Sequence, residues 1–78
     1  MKISKEIISN LNLKTVSITE YKYSIFFKKD YKSARIVKYS LFRYKVIICD
    51  SQQDIILDFH YFTFSKCLKK VSYFFNCV

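Results

Sequence analysis

Asp58 and His60 stand two residues apart, the spacing that places both side chains on one side of an extended strand, and Cys49, Cys67 and Cys77 supply thiols that an oriented imidazole could activate. A cysteine nucleophile with a histidine base and an acidic orienter is the chemistry such a set would perform. No cysteine-protease signature surrounds the thiols, and a solvated Asp-His pair on an outer sheet face explains the alternation by itself. No catalytic residue is therefore assigned, and the chain is expected not to be an enzyme. Taken as metal ligands, Cys49, His60, Cys67 and Cys77 are separated by ten, six and nine residues. Structural zinc sites use closely paired ligands, so neither a metal nor a cofactor is expected, and the cysteines are taken as buried free thiols. Glycine is absent, which excludes phosphate-cradling Gly-rich loops.

A stronger signal is the repeated placement of tyrosine beside lysine, at Tyr21-Lys22-Tyr23, Tyr31-Lys32, Lys38-Tyr39 and Tyr44-Lys45. On a nucleic acid, the cations would neutralise phosphates and exposed tyrosines would stack on bases, a pairing suited to single strands. The formal net charge is +8, from 14 Lys and Arg against 6 Asp and Glu. An AT-rich coding bias explains the abundance of Lys, Ile, Phe and Tyr, but not how the charges are distributed. Lys22, Lys28, Lys29, Lys32, Arg35, Lys38, Arg43 and Lys45 are opposed within their stretch by Asp30 alone, whereas Asp50, Asp54 and Asp58 are followed by no cation until Lys66. The candidate binding set is Lys28, Lys29, Lys32, Arg35, Lys38, Tyr39, Arg43 and Lys45, with a second patch at Lys66, Lys69 and Lys70. Tyr44 shares its alternation with Phe42 and Val46 and is assigned to packing.

These residues need elements to position them. Ile3, Ile7, Ile8 and Leu11 recur at helical spacing behind a Ser4 cap, which predicts a short helix over about residues 4–12. From Thr15 the period becomes two, with a phase switch at Glu20 that predicts a kinked or bulged strand continuing to Phe27. Lys28 to Ser33 reads as a longer loop on a type I turn, because a two-residue primed hairpin favours glycine. Residues 34–49 are too long for one ordinary strand and are expected to bend near Tyr39-Ser40. Asp50 to Gln53 forms a further loop, after which Ile55, Leu57, Phe59 and Tyr61 alternate with Asp58 and His60. Phe64, Cys67, Leu68, Val71, Phe74, Phe75 and Val78 trace one stripe of a terminal amphipathic helix capped by Thr63 or Ser65. A basic amphipathic helix of this kind could lie on a lipid surface, but a thin sheet needs the same stripe as a lid, and no membrane role is assigned.

The expected fold class is α+β: a three- or four-stranded antiparallel sheet flanked by a short N-terminal and an amphipathic C-terminal helix, in one small basic domain over residues 1–78. The order helix, three strands, helix resembles that of the double-stranded RNA-binding domain. That resemblance implies phosphate contacts from Lys66, Lys69 and Lys70, although the Gly-Pro loop that family places in the minor groove has no counterpart here. With free cysteines and no secretory or membrane-spanning run, the chain is expected to be cytoplasmic.

The expected function is a non-enzymatic binding protein that docks a basic, tyrosine-bearing surface onto nucleic acid or a nucleoprotein. Small AT-biased reading frames of this kind recur in phages and mobile elements as inhibitors of host machinery, anti-CRISPR proteins among them. The alternative partner is an acidic protein surface, or a second strand edge, including that of a homodimer.

Overall fold

Both helices begin where a hydroxyl caps them in the computed structural model, which describes residues 1–52 and 55–77. Helix α1 spans Lys5–Asn10, shorter than expected, and Ser4 Oγ accepts from the Ile7 amide at 3.2 Å. It ends early because Asn12 takes φ 56°: the Asn12 amide donates to Ser9 O and the Leu13 amide to Ile8 O, the paired closure of a left-handed helix cap. Leu13 is thereby turned fully into the core. Helix α2 spans Phe64–Asn76, with Thr63 Oγ1 accepting from the Lys66 amide. It buries Cys67, Leu68, Val71 and Phe75 along the expected stripe.

Between the helices run five strands, β1 Ser17–Glu20, β2 Ser24–Lys29, β3 Lys32–Ser40, β4 Arg43–Asp50 and β5 Ile55–Tyr61, paired in chain order as an antiparallel meander. The class is α+β as expected, with five strands instead of three or four. Two stretches expected to be single bent strands are in fact hairpins. The phase switch at Glu20 is a full reversal through Tyr21–Tyr23, with Glu20 facing Ile25 across the pair. The expected bend near Tyr39-Ser40 is a reversal through Leu41-Phe42, where Ser40 pairs with Arg43. Neither turn residue has positive φ, so the turn is not of a primed type that matches strand twist. A register shift between Lys38 and Ser40, which leaves Tyr39 as the extra residue of a bulge, takes up the mismatch. Phe42 consequently sits at an exposed tip rather than on the core face with Tyr44 and Val46.

The third turn also differs from expectation. Asp30-Tyr31 is a two-residue connection between Lys29 and Lys32, and Asp30 adopts φ 53° where glycine would ordinarily serve. A short polar side chain that can bond to nearby backbone makes that region accessible. With five strands, the chain departs from the element order of the double-stranded RNA-binding domain. Gln53 of the expected Asp50–Gln53 loop, Asp54 of the acidic stretch and Val78 of the helical stripe lie outside the described residues.

One face of the sheet carries the core. Phe27 pairs with Ala34 and Ala34 with Ile48, while Ile25 pairs with Ile36 and Ile36 with Val46, and all six are buried under α1, α2 and Leu13. The chain's single alanine faces its fully buried Phe27, a small residue making room for a large one. Among the described residues, no helix is long and apolar enough to cross a membrane.

Lys32 lies on this same face and reaches α2, where its ammonium donates to Phe74 O and Cys77 O, each at 3.1 Å, and stands 5.2 Å from the Phe74 ring centre. Helix α2 has no basic residue in its own last turn, so a strand supplies the cation that its C-terminal dipole attracts. Lys32→Met keeps the apolar stem and removes the charge. It is expected to cost about 1 kcal/mol, read as a lower urea midpoint with an unchanged slope.

Candidate nucleic-acid interface

Among the described residues, no helix covers the opposite face of the sheet, and its side chains follow from the strand pairings. A central row runs Thr19, Phe26, Arg35, Ile47, Asp58; above it lie Ser24, Val37, Lys45, His60, and below it Ser17, Lys28, Ser33, Cys49, Ile56. Every cation on this face is therefore next to apolar or aromatic surface. At its centre the Arg35 guanidinium lies 5.0 Å from the Phe26 ring centre and 5.4 Å from that of Tyr21, and Nη1 donates to Ser24 Oγ at 3.3 Å. The rings hold the flat cation in place without neutralising it, and a guanidinium offers five N–H donors in all.

Toward the upper rim, half-buried Lys45 has its Nζ 3.3 Å from Oδ2 of exposed Asp58, a solvent-accessible pair that holds the two charges only weakly. The bulge turns Tyr39 toward β5, where its hydroxyl shares a 2.8 Å hydrogen bond with His60 Nδ1 and the two rings meet edge to face. Exposed Tyr21, Tyr23 and Lys22 form the adjoining loop, and Arg43 stands at the turn. Cations, flat rings and solvent access coincide on this one face, the combination by which sheet-based modules bind single-stranded bases and their phosphates.

The candidate residues divide among three places. Arg35, Lys45 and Tyr39 meet on the open face, with Arg43 at its rim and Lys28 at its lower end. Lys29, Lys32 and Lys38 belong by their pairings to the helix side, Lys29 and Lys32 near the lower turn and Lys38 near the upper one, where it lies 5.8 Å from the Tyr44 ring centre. Lys66, Lys69 and Lys70 lie on α2, away from the open face, with Lys70 4.2 Å from the Phe59 ring centre. Tyr44 packs against Phe64 at 6.1 Å between ring centres, in keeping with its assignment to packing. Phe26, Tyr21 and His60 join the face without having been in the candidate set. Phe26 was identifiable, since it alternates with the buried pair Ile25 and Phe27 and must point the other way.

The thiols and the imidazole are dispersed. Cys49 lies four residues along β4 from Lys45, the partner of His60, which separates Cys49 from His60 by about 13 Å. Cys67 is fully buried beneath the opposite face, and that burial pushes its thiol up from 9.0 to about 11. Among the described residues, no three His, Cys, Asp or Glu side chains converge as a metal would require. A thiol raised in the folded state holds its proton after the unfolded chain has lost it, so stability is full below pH 9.0 and falls as pH rises toward about 11. Urea titrations on either side of that interval are expected to show the decline, and Cys67→Ala to flatten it. A thiol reagent is expected to label exposed Cys77 first and Cys67 only on unfolding.

The chain matches no protein-family model, no curated protein and no solved structure.

Proposed function

We propose that the open sheet face binds single-stranded nucleic acid, free or within a nucleoprotein, as a non-enzymatic platform. The observation that carries this reading is Arg35 held between Tyr21 and Phe26, with Lys28 and Lys45 in the rows on either side. Bases would stack on Phe26, Tyr21 and Tyr39, about two or three on a sheet of this kind, while Arg35, Lys45, Arg43 and Lys28 contact phosphates. Occlusion of a strand or of a nucleoprotein would suit an inhibitor of host machinery carried by a phage or mobile element and acting in the host cytoplasm.

The test is a titration with generic single-stranded and double-stranded DNA and RNA at several salt concentrations. Binding to single strands with log affinity falling linearly in log salt is expected. An absence of binding to any of the four at low salt would overturn the reading.

A second reading, docking on an acidic protein surface, draws on the β3–β4 tip. Leu41 and Phe42 are 70% and 67% exposed there beside Arg43, with Phe62 at 72% close by, and apolar anchors next to cations are common at protein interfaces. Leu41→Ser with Phe42→Ser is expected to leave nucleic-acid affinity within twofold; a large loss would move the interface to the tip.

A further inference from the structure

We infer that the outer edge of β5 pairs with the same edge of a second copy of this chain, joining two sheets into one continuous antiparallel sheet. The protein treats its two sheet edges differently. At one side β1 is only four residues long, and the N-terminal segment ties down its end: the Met1 amino group donates to the carbonyls of Tyr21 and Lys22, and the Ile3 amide donates to Glu20 Oε2 at 2.9 Å. At the other side β5 runs for seven residues with β4 on one flank and, among the described residues, no strand on the other.

Soluble proteins blunt such an edge with lysine, proline or a bulge. The sequence of β5, IILDFHY, contains no lysine or proline, and its pairing with β4 is regular from Tyr61 to Ile55. Ile56 is 70% exposed on the open face and Leu57 46% exposed on the helix side, so the edge offers apolar surface on both sides of its free backbone groups.

Charge selects a second copy as the occupant. At +8 the chain repels itself, and most faces would bring cations together. From Asp50 to Ser65 there is no Lys or Arg, and of the cations beside β5, Lys45 is paired with Asp58 and Lys70 lies back over the Phe59 ring, so two copies can meet along this edge with little like-charge contact.

A two-fold axis perpendicular to the sheet pairs the edges antiparallel and keeps both open faces on the same side. Centred on Asp58, the pairing would set two carboxylates against each other. Centred on Leu57, it sets leucine against leucine and Ile56 opposite the partner's Asp58, and this is the register we assign. The dimer does not depend on what the open face binds, but it would double the length of that platform.

The test uses the full chain free of nucleic acid. Sedimentation over a concentration series is expected to show a species of twice the 9.4 kDa chain mass. Amide exchange along β5 is expected to quicken on dilution while that of β3 stays constant, a measurement that needs no variant. Ile56→Lys with Leu57→Lys is expected to sediment as a monomer with an unchanged circular dichroism spectrum. A wild-type chain that stays at 9.4 kDa at every concentration overturns the inference and leaves the edge for a strand of another protein. So does β5 exchange that is independent of concentration, or a double variant that still dimerises. Each readout is obtained without nucleic acid, so its failure is distinct from failure of the single-strand reading.

Discussion

Phe27→Ala is expected to leave the chain at the edge of unfolding at room temperature. Phe27 is fully buried, pairs across β2 and β3 with Ala34, and has the Phe75 ring of α2 6.5 Å away, so it joins sheet to helix at the centre of the core. Removing a buried phenylalanine typically costs about 3–5 kcal/mol, because the transfer free energy is lost and a cavity remains. The whole stability of a chain this long is on the order of 4–12 kcal/mol. Ala34 is too small to move into the gap, and its other neighbour, Ile48, is already packed. Urea unfolding is expected to show a midpoint lowered by about a quarter or more. Phe42→Ala provides the contrast: its ring is exposed at the β3–β4 tip, and its loss is expected to change stability by about 0.5 kcal/mol or less. If the two substitutions cost the same, the packing described for Phe27 is wrong.

That contrast also shows what the sequence could and could not reveal. Period and capping were legible: Ser4 and Thr63 cap helices that were expected, and the α2 stripe is buried where its spacing predicts. The turns were not, because the residues that usually mark them are missing. A chain without glycine or proline must turn on Tyr21–Tyr23, Asp30-Tyr31 and Leu41-Phe42, and aromatic and aliphatic residues at a turn look like strand continuing. Alternation in the sequence therefore runs on through Glu20 and Ser40, so that four strands look like two. It runs on to Phe42 as well, although the chain is reversing there.

The same omission scattered the candidate site. Cations from Lys28 to Lys45 look like one basic stretch in the sequence, but two reversals spread them over three strands, and alternation along each strand divides them between the two faces of the sheet. Lys32 goes to the helix side, where it holds the end of α2, and Arg35 to the open side, between two rings. Sequence shows which residues alternate; which face is covered depends on where α2 returns across the sheet. Phe26, by contrast, is legible as the residue that points away from Ile25 and Phe27; that its side of the sheet is the uncovered one is settled only by where α2 packs.

Combined Arg35→Gln, Arg43→Gln and Lys45→Gln is expected to lower affinity for single-stranded nucleic acid on the order of 100-fold at low salt. Each cation that releases a counterion contributes about 0.7 to the salt slope on a single strand, so the slope should fall by about 2. Lys45 adds a further penalty, because its loss leaves the Asp58 carboxylate unpaired on the face that phosphates would approach. Phe26→Ala is expected to behave differently. It removes a stacking ring and one support of Arg35, at about 1–3 kcal/mol, and should weaken binding while leaving the slope nearly unchanged. Lys66→Gln with Lys69→Gln changes the same kind of charge on α2 and is expected to have a far smaller effect. The slope and the affinity together separate phosphate contact from stacking. A helix variant that costs more than the sheet variant would transfer the interface to α2 and overturn the assignment of the open face.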